Sequence, residues 1–276
     1  MRNDQTAEWL TMRRRLALSI VHCALCVFGA GCAPKRIALP TDTGTPLPDF
    51  TQIHQAITRT CSGIRTLTAE LSLSGRAGDQ KLRGRVIAGF ARPASMRLEG
   101  VAPFGPPAFI LVTAGAEDAT LLLPRDSRVV RGERADAILG ALTGVMLAPA
   151  DLQAILTGCV TGSPPTAGAQ HRGDWASIAF QDGATMYLTR AGQAWQLRAA
   201  RRGPWQIEYE TGSGTLPAAV TLHAETPVHV DLRAAIAQVE TNIDLDASAF
   251  TVTVPREAQP LSLDVLRANG PLRDTQ

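Results

Sequence analysis

The side chains that could carry out acid–base or metal chemistry are scattered along this chain. Its five histidines are His22, His54, His171, His223 and His229. No two of them have the spacing of a zinc site, and none lies beside an acidic residue on one helix face. The sequence also lacks a nucleophile-elbow motif, a glycine-rich phosphate loop and a dinucleotide fingerprint. We therefore predict no catalytic residue, no metal ion and no cofactor, and a protein that is not an enzyme.

Cys32 has surroundings that predict a covalent modification. Arginines at positions 13 to 15 precede an apolar run from Leu16 to Gly31, which is too short for a transmembrane helix but suits a signal peptide. The run ends in small residues followed by Cys32, and this ending resembles the lipobox of bacterial lipoproteins, although Gly29 stands where leucine is usual. We predict that Cys32 is freed by cleavage and acylated. The alternative is an ordinary signal peptide with a chance cysteine.

The leader predicted in this way occupies residues 1–31. Met12 is an alternative start, because residues 1 to 11 include polar and acidic positions that signal peptides normally lack. Ala33 follows the cysteine, whereas bacterial lipoproteins kept in the inner membrane often carry aspartate there. We therefore expect a lipid-anchored protein on the periplasmic face of the outer membrane. Several acyl chains would make this anchoring stable, since a single chain binds only marginally.

The composition is that of one domain with one sizeable core. The chain is 45% apolar with a net charge of +2, and the basic run of the mature chain is limited to residues 198 to 202. A nucleic-acid surface is therefore not expected. Residues 32–49 are rich in proline and threonine, which predicts a flexible tether. Cys61 and Cys159 remain as a pair after processing, either as a disulfide or as two buried thiols.

The spacing of apolar residues predicts many strands with helices inserted in the middle of the chain. Helices are expected from about Asp49 to Cys61, from Ala135 to Met146 and from Pro149 to Gly158. Elsewhere apolar and polar residues alternate, as they do from Leu67 to Ser74, in about a dozen short strands. We predict a mainly β fold of the α+β class, with a single highly curved antiparallel sheet whose concave face is covered by helices around an apolar space.

Three segments between Ser95 and Gly158 carry a family likeness. They are Met96-Arg97-Leu98-Glu99 leading to Ala102-Pro103-Phe104-Gly105, residues 135 to 144 with Leu142-Thr143-Gly144, and residues 147 to 158 with Pro149 and Leu152. In order and spacing they resemble the LolB family of outer-membrane lipoproteins and, more distantly, its soluble partner LolA. These are the receptor and the carrier of the bacterial lipoprotein-localisation system. Because that receptor is itself a lipoprotein, the predicted leader agrees with the resemblance.

The resemblance implies an open half-barrel with a helical lid over an apolar cavity, which shelters the acyl chains of lipoproteins crossing the periplasm. The implied partners are those acyl chains, a periplasmic LolA-like carrier and the outer membrane, for a chain expected to be a monomer. The candidates for lining the cavity are Leu71, Leu73, Val86, Phe90, Leu98, Ile138, Leu142, Leu152 and Leu156. For each of them, ordinary core packing is the alternative.

The loop Pro103-Phe104-Gly105 is the second site that the resemblance implies. The family's receptor projects an apolar residue from the loop after its third strand, and Phe104 has the matching place in this sequence. Neighbouring prolines restrict the loop, so an aromatic ring held out by it could enter a membrane and help cargo leave the cavity. The alternative has Phe104 folded back into the core.

This chain is longer than the family it resembles, through residues 244 to 276 and the loop at 161 to 169. We place the half-barrel at residues 50–255 and predict a C-terminal tail at 256–276. The runner-up to a transfer protein is a non-catalytic envelope scaffold, or a carrier of another lipid, with the same fold. A cavity open to solvent would favour transfer, and a cavity plugged by tryptophan would favour the scaffold. The tryptophans in question are Trp175, Trp195 and Trp205.

Overall fold

The computed structural model describes residues 36–115, 117–212, 214–226 and 228–272. The predicted leader, Cys32 and the first residues after it lie outside these ranges. From Leu39 onward the chain forms one unit with a continuous hydrophobic core. Among the described residues, no helix has both the length and the apolar character needed to cross a bilayer, and no three potential metal-binding side chains converge.

The unit contains fifteen strands and four helices. The strands are β1 (Thr45–Pro46), β2 (Thr66–Ala77), β3 (Gln80–Ala91), β4 (Ser95–Val101), β5 (Phe109–Thr113), β6 (Ala119–Leu123), β7 (Arg128–Glu133), β8 (Pro165–Gln170), β9 (Trp175–Phe180), β10 (Thr185–Ala191), β11 (Ala194–Arg202), β12 (Trp205–Thr211), β13 (Pro217–Ala224), β14 (Val230–Thr241) and β15 (Gln259–Pro260). The helices are α1 (Phe50–Ser62), α2 (Ala135–Thr143), α3 (Pro149–Thr157) and α4 (Leu263–Asn269), and a short 3₁₀ turn spans Ala247–Phe250.

All fifteen strands belong to one open, curved sheet. Their order across it is β1-β8-β9-β10-β11-β12-β13-β14-β2-β3-β4-β5-β6-β7-β15. The two halves of the chain each form a meander, and they join where β14 pairs antiparallel with β2. Neighbouring strands are antiparallel, except that β15 runs parallel to β7. The predicted mainly β fold with one antiparallel sheet and inserted helices is therefore correct.

Alternation along the strands decides which side chains enter the core. In β4, for example, Met96 and Leu98 are buried while Arg97 and Glu99 lie on the other face and form an ion pair with a 3.0 Å separation. Because successive side chains of a strand point to opposite faces, each inward row adds to one continuous apolar surface. Helices α2 and α3 pack on this surface, α3 against β13 and β4, and α2 against β6.

Two glycines end the helices that cover the sheet. Gly144 adopts a left-handed backbone conformation with φ of 77°, and its N–H donates to the carbonyl of Gly140, so α2 ends at Thr143 and not at Met146 as predicted. Gly158, with φ of 82°, ends α3 as predicted. A Cβ on Gly144 would lie 2.7 Å from the Cβ of Ala77, so glycine also lets the end of α2 approach β2 closely.

The prediction of a flexible tether up to residue 49 is wrong for its last part. Thr45 and Pro46 pair with β8, and the N–H of Leu47 donates to the carbonyl of Gly168 at 3.0 Å. The side chain of Leu47 is buried in the core. A two-residue edge strand is too short to produce an alternating pattern, so composition alone suggested a tether.

The predicted tail at 256–276 is also wrong where the structure describes it. Gln259 and Pro260 form β15 alongside β7, and α4 follows with Leu266 buried against α2. The compact unit that begins at Leu39 therefore includes described residues on both sides of the predicted range 50–255. The segment has few apolar residues, but their contacts with α2 and β7 are long-range and leave no periodic signal in the local sequence.

Candidate functional site

A partly open apolar cavity lies between the sheet and the two central helices. Strands β2, β3, β4, β5, β13 and β14 supply one wall, and helices α2 and α3 supply the other. The free space between them is about 60 Å³. Among the lining residues that the structure describes, Thr143 is the polar one, and its hydroxyl donates to the carbonyl of Leu139 at 2.8 Å. The wall can therefore exclude water from an apolar group, but it offers no side chain for acid–base chemistry.

Seven of the nine predicted lining residues contribute to this wall. They are Leu71, Leu73, Val86, Leu98, Leu142, Leu152 and Leu156. The other two, Phe90 and Ile138, are fully buried in the core away from the free space. Phe90 lies between Leu67 and Met96 on the neighbouring strands, and its ring is part of the hydrophobic core.

Residues that the sequence analysis did not single out complete the cavity. Val220 and Leu222 of β13, with Leu232 and Ala234 of β14, extend the wall from the second half of the chain. Alternation in β13 and β14 could have found them, because each pair has the two-residue spacing of one strand face. Leu272, from the segment predicted as a tail, also lines the cavity, and no local pattern pointed to it.

Helix α3 is fastened to the sheet and to α1 by specific bonds. Arg202 of β11 forms an ion pair with Asp151 in the first turn of α3, with 2.6 Å between Nη2 and Oδ1, and donates to the carbonyl of Val160 beyond its end. Cys159 forms a disulfide with Cys61 in the last turn of α1. Asp151 also faces the positive end of the helix dipole, which stabilises its charge. Helix α3 is therefore held at both of its ends.

Replacing Arg202 tests this attachment. We expect Arg202→Met to lower the free energy of unfolding by about 1–3 kcal/mol, because it removes hydrogen bonds to a charged carboxylate and to a partly buried carbonyl. Urea denaturation of the variant and the wild type measures the change. Arg201→Met is the matched control, since Arg201 is the exposed neighbour on the same strand. Equal losses in the two variants would contradict a specific role for Arg202.

The loop after β4 presents Phe104 to solvent. Its side chain is 87% exposed, and Pro103, Gly105 and Pro106 around it are exposed as well. The guanidinium of Arg125 donates to the carbonyl of Phe104 and, over 3.3 Å, to that of Pro106. An arginine in the β6–β7 turn thus fixes the loop, in addition to the stiffness that its prolines provide.

The tryptophans lie away from the apolar cavity. Trp195 borders a separate hollow of about 220 Å³ between α1, the end of α3 and strands β11 to β13. The guanidinium of Arg190 stacks over its ring at 4.5 Å. Tyr209 lines the same hollow, and burial raises the pKa of its hydroxyl. Among the described residues, Leu272 lines the apolar cavity from beyond the sheet, and no tryptophan does.

No model of a known protein family matches this chain, and no curated protein matches it either. Among solved structures, a LolA superfamily protein from Nitrosomonas europaea is 12% identical, with a TM-score of 0.49 over 72% of this chain and 98% of that one. An outer membrane lipoprotein-sorting protein domain from Vibrio parahaemolyticus is 12% identical, with a TM-score of 0.44 over 79% and 97%. A DUF1329 family protein from Desulfovibrio piger is 12% identical, with a TM-score of 0.47 over 75% and 97%.

These similarities lie in the path of the backbone, at low sequence identity.

Proposed function

We propose that this chain is an outer-membrane-anchored lipoprotein that binds acyl chains of other lipoproteins and helps to insert them into the outer membrane. The observation that carries the proposal is the apolar cavity between sheet and helices, whose one polar lining residue is bonded to its own helix. An acyl chain has no hydrogen-bonding groups, so such a wall can replace the shelter of a membrane. Each buried CH₂ contributes about 0.8 kcal/mol.

The size of the cavity requires movement when cargo binds. A space of about 60 Å³ holds only a small part of a long acyl chain. Because α3 is attached at both ends, the part of the lid that moves is α2, which packs against α4 and β6. In this proposal the cavity widens from this volume when an acyl chain binds.

The loop at Phe104 supplies a contact with the membrane in this proposal. Cys32, acylated, would hold the domain near the outer membrane, and the exposed ring of Phe104 would enter the lipid when the cavity discharges. Cargo would arrive from a soluble LolA-like carrier in the periplasm, and no covalent chemistry is needed. A rigid loop favours this role, because an aromatic ring already held outward loses little conformational freedom on insertion.

Lipid analysis of the purified domain tests the proposal. Residues 33–276 contain the whole unit with its core, so this soluble form suffices. We expect mass spectrometry to find acylated peptide or lipid bound to it, and a fluorescent fatty acid to bind saturably. Absence of both would contradict acyl binding.

The small volume of the cavity is also the observation that favours the second candidate. A cavity that never opens beyond about 60 Å³ would make the domain a non-catalytic envelope scaffold with the same fold. The fatty-acid titration separates the two functions, because a scaffold would show no saturable binding while keeping its protein partners.

Replacing Phe104 tests membrane insertion separately from binding. We expect Phe104→Glu to keep the melting temperature and the fatty-acid affinity, because the side chain is exposed and remote from the core. Transfer of an acylated peptide from the domain to phospholipid vesicles should be lost, since a carboxylate does not enter the bilayer. Phe104→Leu is the matched control and should retain transfer. An unchanged transfer rate in Phe104→Glu would overturn the role of the loop.

A further inference from the structure

The last described residues of the chain cross from one edge of the sheet to the cavity. We call residues 259–272 the C-terminal strap. Its start is held by two backbone hydrogen bonds to β7 and the turn before it, from Gln259 to Ser127 and from Leu261 to Val129, each 2.8 Å long. Helix α4 then packs on α2, with the side chain of Leu266 buried. The strap therefore joins helix α2 to the edge of the sheet.

Leu272 at the end of the strap occupies part of the cavity. Its side chain is 4% exposed and lines the same space as Leu98 and Leu142. Its carbonyl accepts a hydrogen bond of 3.1 Å from the N–H of Arg83 in β3. Strand β4 pairs with β3 from Arg85 to Ala91, so Arg83 lies beyond the end of that pairing and Leu272 provides its backbone partner.

Gly84 is the residue that makes room for Leu272. It lies between Leu82 and Val86 on the inward face of β3, where both of its neighbours are large. A Cβ at Gly84 would lie 2.8 Å from Cδ2 of Leu272, which is closer than real Cβ atoms approach. Glycine inside a strand often marks the close approach of another segment, and here that segment is the end of the strap.

We infer that the C-terminal strap is an internal occupant of the cavity, with Leu272 in the place that part of an acyl chain takes when cargo binds. The inference rests on the proposed function. It adds a gate, namely the strap, which must leave the cavity before cargo can bind. In the empty protein, Leu272 keeps the apolar wall from water. Cargo displaces Leu272 from Gly84, and the strap withdraws together with α2, while α3 stays attached through Arg202 and Cys159.

The affinity for a fluorescent long-chain fatty acid tests the inference. We expect Leu272→Ala to bind the probe at least about tenfold more tightly than the wild type, because a smaller internal competitor must leave the cavity. Val265→Ala is the matched control on the same strap, since Val265 is 43% exposed, and it should bind like the wild type.

Hydrogen exchange provides a second measurement that does not depend on affinity. Gly84→Ala places a methyl group against the flexible end of Leu272, so it should displace the strap without disturbing the sheet. We expect faster amide exchange at Arg83 and across residues 259–272 in this variant, and the same change in the wild type when fatty acid is bound.

The outcomes distinguish failure of the proposed gate from failure of the proposed function. Equal fatty-acid affinity in the wild type and Leu272→Ala, with unchanged exchange in the strap on binding, would overturn the gate and leave acyl binding intact. Absence of probe binding in every form would overturn both the proposed function and the gate. Tighter binding by Leu272→Ala alone, with Val265→Ala unchanged, supports both.

Discussion

Loss of the disulfide between Cys61 and Cys159 is expected to lower the free energy of unfolding by about 4 kcal/mol. The two cysteines are 98 residues apart, and a cross-link that closes a loop of about that length removes much conformational entropy from the unfolded chain. The bond also joins the last turn of α1 to the end of α3, so its loss removes one of the attachments of α3.

Chemical denaturation of the soluble domain, residues 33–276, with and without a thiol reductant measures this loss. These cysteines are the two that remain in that form, because Cys32 and the residues before it are absent. The double variant Cys61→Ser/Cys159→Ser should match the reduced protein and should not respond to reductant. An oxidised and a reduced protein with the same denaturation midpoint would contradict the expected stabilisation.

A carboxylate in the cavity is expected to weaken fatty-acid binding by at least about a hundredfold. Leu152→Glu places the charge on the cavity side of α3, at a half-buried position from which the protein can still fold. Filling the cavity with an acyl chain would strip water from that charge without supplying a partner, and such desolvation costs several kcal/mol. Because position 152 is only half-buried, a carboxylate there can keep contact with water when no acyl chain is bound.

Ala150→Glu is the matched control for this variant. Ala150 is exposed and lies two residues before Leu152 on the same helix. Ala150→Glu therefore adds the same charge outside the cavity. Fatty-acid titration and thermal melting of both variants should show that binding is lost in Leu152→Glu alone, while both remain folded. Equal affinity in the two variants would mean that acyl chains bind elsewhere, and the hollow beside Trp195 would then be the place to search.

Both expectations concern helix α3 and its attachments. Helix α3 carries the disulfide, the ion pair of Arg202 and the position of Leu152, and it is the attached side of the cavity. Helix α2 is bounded by Gly144 and packs on the C-terminal strap, and the proposed gate assigns the movement to this side. An acyl-binding protein needs both properties, because a cavity must open for cargo and yet recover one shape when empty.

The local sequence by itself determined most of the sheet and the ends of its helices. Leu71, Leu73, Val86 and Leu98 share a face because side chains alternate along any strand, whatever its neighbours are. Gly144 and Gly158 end α2 and α3 because a left-handed residue suits glycine. Cys32 also belongs to this group, since a signal peptidase reads a linear motif, and its acylation stays a prediction.

The tertiary structure alone decided which inward residues meet the cavity and what occupies it. Phe90 and Leu98 follow the same alternation, but the curvature of the sheet buries Phe90 in the core and leaves Leu98 at the free space. Gly84 and Leu272 meet across most of the chain, and neither carries a local signal of the other. Contacts of this kind depend on how separated segments pack, and a periodic pattern reports only on the faces of one element.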